Sequence, residues 1–265
     1  AARAAWAFRS LFNQPEVMAM LRAGRSDAPY WELVLSYCVE GCLQAVLDEY
    51  VHVLRDSLGL HDHKPAVRAN EIVTEIATAL GLRTSRVGVD DVDLGSGRTV
   101  RLSTRNLRTH FALRFTDERA PSDDGSRGDQ VRRAFNSPFW PIVLVSTSVG
   151  QEGLDFHAYC HSVVHWNLPA NPVDLEQREG RVHRYKGHAV RKNVARVHAS
   201  LALARVGTLD PDAWDPWENV FRAACDARPE GTSDIVPFWV FPIDDGAAIE
   251  RRVLALPLSR DKERE

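Results

Sequence analysis

Two stretches of this sequence hold residues whose types and spacing could do chemistry. In the run Gln177-Arg178-Glu179-Gly180-Arg181-Val182-His183-Arg184, the side chains of Gln177, Arg181 and Arg184 are four and three positions apart. On a helix they would share one face. A glutamine and two arginines converging on one point form a device for gripping an anion. Arginine suits the task because its planar fork stays charged and can bond a phosphate through two nitrogens. Presented to a γ-phosphoryl group, it stabilises the charge that develops in phosphoryl transfer. Upstream, Thr147, Ser148, Gly150 and Gly153 make a polar turn directly after an apolar run. Small residues there let the backbone approach a phosphate, while hydroxyls and amide N–H groups can bond it. Asp155 could then accept from a ribose hydroxyl.

The elements that must carry these residues are legible as patterns. After Arg98, short β-like runs alternate with helical ones, which predicts an α/β fold with a parallel sheet. Ligands bind at the C-terminal ends of strands in such sheets. His110–Phe115 reads as a strand, Ala120–Gly128 as a loop dense in Pro, Ser, Asp and Gly, and Asp129–Asn136 as a short helix. Pro141–Ser146 is a near-continuous apolar run of the kind found in strands buried on both faces. His161–Trp166 reads as a further strand, Pro172–Arg184 as a helix and Val194–Ala199 as a return to strand. Ahead of this region, helices are expected at Ala4–Phe12, from Tyr30 to Leu58 and at Ala69–Leu80, with Gly59 and Gly81 as stops. Asp90–Gly97 reads as a turn or exposed loop. The tail reads as a helix over Pro216–Ala227, an apolar strand-like stretch over Ile235–Ile243 and a charged end.

Set in order along the chain, these stretches resemble a known family. STSVGQEGLDF, ending at Phe156, resembles motif V of superfamily 2 helicases, and QREGRVHR resembles their motif VI, Q-x-x-G-R-x-x-R. The intervening HSVVHWNL, the Asn171-Pro172 approach to Gln177 and the run AFNSPFWPIVLVST look most like the Swi/Snf-type and bacterial HepA-like branch. The match covers Asp129–His198, about a quarter of the chain. It implies a second, C-terminal RecA-like domain, a parallel sheet flanked by helices, from a nucleic-acid-dependent ATPase. By the resemblance, Arg184 is the arginine finger, Arg181 its neighbour on the same phosphate, and Gln177 a link from nucleotide to domain interface. Gly153, Asp155 and Gly180 fall on the ATP side. Thr147, Gly150, Gln151 and Glu152 fall where motif V meets the nucleic-acid backbone. The implied cofactors are ATP and Mg²⁺, held mainly by an upstream RecA-like domain. The implied track is DNA in preference to RNA.

Composition bounds the rest. A chain of 265 residues with 44% hydrophobic content can bury one substantial core with a helical appendage. The expected division is a helical segment over 1–99, the RecA-like domain over 100–205 and a C-terminal extension over 206–265. No run approaches the ~20 apolar residues of a membrane span, and no signal-peptide pattern or initiator Met opens the chain, so a soluble piece of a longer protein is expected. Four cysteines are too few for a disulfide framework, which points to a reducing cytoplasm. The net charge of -3 excludes a uniformly basic coat, but residues 176–198 hold seven Lys/Arg against two Glu, a cluster that could meet phosphates. No G-x-x-x-x-G-K-[ST] loop occurs, so the chain alone is expected not to hydrolyse ATP.

Several features only look functional. Asp48-Glu49-Tyr50-Val51-His52 resembles a DExH box but sits inside a helical pattern. His61-Asp62-His63 lacks convergent partners for a metal and reads as an exposed loop, and no metal site is expected elsewhere. Cys38 and Cys42, and Trp166, Trp214, Trp217 and Trp239, read as packing residues rather than zinc ligands or base-stacking platforms. The rival functional readings are a degenerate, non-catalytic nucleic-acid-binding or regulatory module, and a nuclease, for which no carboxylate set has metal-ligand spacing.

Overall fold

The structure, a computed structural model, describes residues 2–23, 28–82, 85–93, 101–109, 124–139, 141–145, 155–166, 168–169, 171–204 and 215–253. The N-terminal part is helical: α1 (Ala2–Phe12), α2 (Pro15–Arg22), α3 (Tyr30–Glu40), α4 (Leu43–Ser57) and α5 (Pro65–Leu80). Apolar residues spaced by four put Ala7 and Leu11 of α1 against Ile72, Ile76 and Leu80 of α5, with Tyr50 and Leu54 of α4 closing the cluster. Each such side chain contributes about 1.5–3 kcal/mol when fully buried. The α2 helix starts on Pro15, whose missing N–H costs nothing at a first-turn position.

The helix expected from Tyr30 to Leu58 is two helices. At Gly41 a Cβ would lie 2.8 Å from the Tyr37 carbonyl oxygen, and Cys42 follows in the left-handed region with φ 48°. The chain thus turns between α3 and α4. Cys38 packs beside Phe12, Leu21 and Leu33, whereas Cys42 is exposed.

A backbone hairpin follows, β1 (Ser85–Asp93) paired antiparallel with β2 (Arg101–Thr109). Asp90–Asp93, expected to begin a turn or exposed loop, belong to β1, and the rest of that stretch lies outside the described residues; neither strand is evident in the sequence. The α6 helix (Asp124–Phe135) begins five residues earlier than expected and takes in most of the stretch read as a loop. Val131 and Ala134 bury it against Leu82, and Arg133 donates to Glu75 of α5 at 2.6 Å. The helical N-terminal segment and the region after Arg98 therefore share a packed boundary.

Beyond α6 come β3 (Ser162–His165), α7 (Pro172–Gly180), α8 (His188–Ala204), α9 (Pro216–Asp226) and β4 (Glu250–Val253). The strand β3 pairs in parallel with β4, with Ser162 opposite Glu250. A parallel pair with α7 between its strands in sequence agrees with the expected α/β class in kind. The described residues hold only this two-stranded piece of it. Pro141–Val145 is not a strand buried on both faces: Ile142, Val143 and Val145 are 59%, 70% and 85% exposed, and Leu144 alone packs on the α6 cluster. The return to strand over Val194–Ala199 is overturned too, since these residues lie within α8, where Val194 and Ala202 pack against Val220, Phe221 and Ala224 of α9. Ile235–Ile243 is a series of turns that lays Phe238 and Phe241 on the same cluster. His110–Phe115 and the charged tail lie outside the described residues.

The α9 helix is fixed at its start by Asp215, whose side chain accepts from the backbone N–H of Trp217 and Glu218, with Pro216 next. Burial alone would raise the Asp215 carboxyl; the hydrogen bond from His52, the Glu218 N–H and Arg55 together hold it below the ordinary carboxylate range. Among the described residues no helix is long and apolar enough to cross a membrane.

Candidate functional site

The α7 helix is capped by Asn171, whose side chain accepts from the Val173 N–H at 3.0 Å, with Pro172 in the first turn and Asp174 near the positive end. It ends at Gly180 rather than running to Arg184. The Arg181 N–H turns back to the Arg178 carbonyl and the Val182 N–H to the Glu179 carbonyl, the i to i−3 tightening that closes helices. Gln177, Arg181 and Arg184 therefore do not line one helical face. Gln177 is exposed on α7, and no hydrogen bond among the described residues joins it to either arginine. Gly180 has open space where a Cβ would project.

What replaces the common face is a loop laid against another segment. The Phe156 N–H donates to the Arg181 carbonyl at 2.9 Å, Asn136 beyond α6 donates to the Asp155 carbonyl at 2.7 Å, and Phe156 sits edge-on to Phe135. This fastening brings Asp155 and Arg184, 29 positions apart, to 3.0 Å between Oδ1 and Nε. The pair is open to solvent, at 47% and 39% exposure. Arg184's two terminal nitrogens take part in no hydrogen bond among the described residues. The Nε of Arg181 is buried without a partner among the described residues. A half-exposed guanidinium such as that of Arg184, with terminal nitrogens that no described residue bonds, can meet an anionic ligand such as a phosphate. Of the other expected site residues, Thr147, Gly150, Gln151, Glu152 and Gly153 lie outside the described residues.

Two of the seven cations of the basic cluster over 176–198, Lys186 and Arg191, are buried inside the protein. Arg191 is 1% exposed, with Nε on Glu49 at 2.9 Å, Nη1 on the Lys186 carbonyl at 2.7 Å and Nη2 on the Ala158 carbonyl at 2.6 Å. It binds the two loops of the site to each other and to α4. Lys186 is buried as well, and Arg196 donates to the Asp245 carbonyl. Composition read these cations as surface charge because their partners stand far off in sequence.

The look-alike DExH run lies in the middle of α4, with Asp48 bonded to Gln44, Glu49 to Arg191 and His52 buried. His61 bonds Asp56 instead of completing a pair with His63. Trp217 stacks on His52 and Trp239 meets Tyr185, as packing residues do. Trp166 does not pack in this way and is exposed.

A histidine cluster beside the loop carries a pH dependence. Burial, and then the positive Arg191, Lys192 and His161 around it, lower the pKa of His188 to about 4. The unfolded chain takes up that proton near pH ~6.5, so this contribution to stability is complete above that pH and is lost as pH falls toward 4. Urea midpoints measured from pH 7.5 down should fall, and His188→Asn should flatten the slope. A slope unchanged by that substitution would assign the acid sensitivity to other groups.

Comparison with known proteins adds the following. A family model, the helicase conserved C-terminal domain, matches residues 124–186. The chain is also similar to the uncharacterized ATP-dependent helicase YqhH of Bacillus subtilis (strain 168), with 45% identity over 42 residues, 16% of this chain and 7% of that protein. The chain thus aligns with only a small part of this relative's length. No solved structure matches. The matched span contains Asp155, Gln177, Arg181 and Arg184, and it supports a superfamily 2 helicase-type C-terminal domain with the RecA-like fold that such domains imply.

Proposed function

We propose that this chain supplies the C-terminal RecA-like half of a nucleic-acid-dependent ATPase, a helicase or translocase, and that the loop after α7 is its contact with the nucleotide. One observation carries the reading: Arg184 is held through Nε by Asp155 at 3.0 Å at a half-exposed position, and no described residue bonds its terminal nitrogens. Arg181, three residues earlier in the chain, has a buried Nε with no partner among the described residues. A guanidinium oriented in this way stabilises charge on a transferring phosphoryl group without having to find its geometry first. In this reading Gln177 and Gly180, on the last turn of α7, belong to the same site.

In this reading Gly153 lies with Asp155 on the nucleotide side, and Thr147, Gly150, Gln151 and Glu152 meet the nucleic-acid backbone. Residues 1–99 and 206–265 flank the domain at 100–205. DNA is the preferred track, from the resemblance to the Swi/Snf-type and HepA-like branch. Mg-ATP, when bound, supplies the electrophilic phosphoryl group. The sequence contains no phosphate loop, so its cradle belongs to an upstream domain.

Full-length parent protein should show ATP turnover stimulated by nucleic acid, whereas the 265-residue chain alone should show none. Turnover by the pure chain that Arg184→Ala abolishes would overturn the division of labour. A parent protein that binds nucleic acid but never hydrolyses ATP would favour the degenerate module.

A further inference from the structure

Lys186 stands two residues beyond Arg184 yet is only 7% exposed. Its backbone is in the left-handed region at φ 48°, which glycine takes freely and other residues seldom adopt. Each of its polar groups is engaged. The N–H donates to the Phe238 carbonyl at 2.7 Å, and its own carbonyl accepts from Arg191 at 2.7 Å. The ammonium donates to Asp56 Oδ2 of α4 at 2.5 Å and lies 3.4 Å from Nε2 of His52. It also sits 4.7 Å from the ring centre of Phe221 on α9, within cation–π range.

The anchor itself is braced. His52 Nδ1 is 3.0 Å from Asp215 Oδ2, which accepts from Arg55 at 2.6 Å as well. The tautomer with a proton on Nδ1 donates to Asp215 and leaves Nε2 to accept from Lys186. Two cations, Lys186 and Arg55, thus face two carboxylates, Asp56 and Asp215, with His52 between them. The Gly187 N–H returns to the Arg184 carbonyl at 3.0 Å. The two residues therefore belong to one tight turn, and a shift of Lys186 passes directly to Arg184.

We propose that Lys186 is a positioning residue for Arg184: it pins the turn to Asp56 of α4 and to the aromatic floor of Phe221 and Phe238. The helical N-terminal segment and the C-terminal extension thereby set where the arginine stands. This rests on the reading of Arg184 given above. Packing alone does not need a lysine here, because an apolar side chain of similar length would fill the same space without a buried charge to satisfy.

The test uses full-length parent protein and nucleic-acid-stimulated ATP turnover. Lys186→Met keeps the stem and removes the ammonium; kcat should fall about 10- to 100-fold, the scale on which a displacement of order 1 Å acts, with KM for ATP within about threefold. In the double variant with Arg184→Ala the loss should not grow, since the lysine acts through the arginine. Asp56→Asn should reproduce the kcat-selective loss, and it carries the test if Lys186→Met does not fold. A double variant with multiplied losses, or variants less stable but unchanged in kcat, would overturn the positioning role and leave Arg184 in place. Arg184→Ala within tenfold of wild type would remove the finger, and the positioning role with it.

Discussion

Replacing Arg184 with alanine in the full-length parent protein is expected to lower kcat by about 10³-fold or more, the range for arginine fingers in phosphoryl transfer. Nucleotide affinity should change much less, because the side chain acts on charge that appears only in the transition state. Arg184→Lys should not restore turnover, since an ammonium keeps the charge but loses the fork that contacts two oxygens. Nucleic-acid binding without ATP should persist. The ion pair with Asp155 is open to solvent, and exposed pairs of this kind contribute at most about 1 kcal/mol to stability. Loss of fold therefore would not explain a large effect. A kcat within about tenfold of wild type, equivalent to ~1.4 kcal/mol, would remove Arg184 from the catalytic site.

The second large effect is expected on stability. Arg191→Met would leave the buried Lys186 and Ala158 carbonyls without their donor and the partly buried Glu49 without its partner. Breaking a buried charge network from one side costs about 3–5 kcal/mol. That is a large fraction of the ~5–15 kcal/mol by which domains are stable. Arg191→Lys should recover little, because one ammonium cannot serve three acceptors lying in different directions. Denaturant midpoints and thermal melts would read the loss. Unchanged stability together with weakened nucleic-acid binding would return Arg191 to the surface role that composition suggests.

The residues that build the site were only partly legible. Asn171-Pro172 and Asp215-Pro216 are local start signals, and α7 and α9 begin where the sequence places them. The four-and-three spacing from Gln177 to Arg184 imitates a helical face, while Gly180, the last helical residue, is a poor helix former at which α7 ends. Val194 and Val197 suggested a strand, but the apolar surface of α9 overrode their β preference and buries Val194 in α8. The pairs that matter most, Glu49 with Arg191 and Asp56 with Lys186, span 142 and 130 positions. Sequence periodicity reports only near neighbours, so nothing in either run announced the other. Asp155 and Arg184 are legible from residue type and spacing and from the motif resemblance, but their direct contact is not.

The span of these pairs also imposes a schedule on biosynthesis. His52 and Asp56 are complete with α4 early in translation, whereas Asp215 follows His52 by 163 residues. At about 5–20 residues per second, a nascent chain carries the inner face of α4 for roughly 8–30 seconds before α9 can close over it. Through that interval the histidine and aspartate that will end in the interior are served by water. Slower elongation between α4 and α9 lengthens this exposure. Expression yield should therefore respond to codon choice across residues 57–215 and to chaperones that bind apolar helices during synthesis.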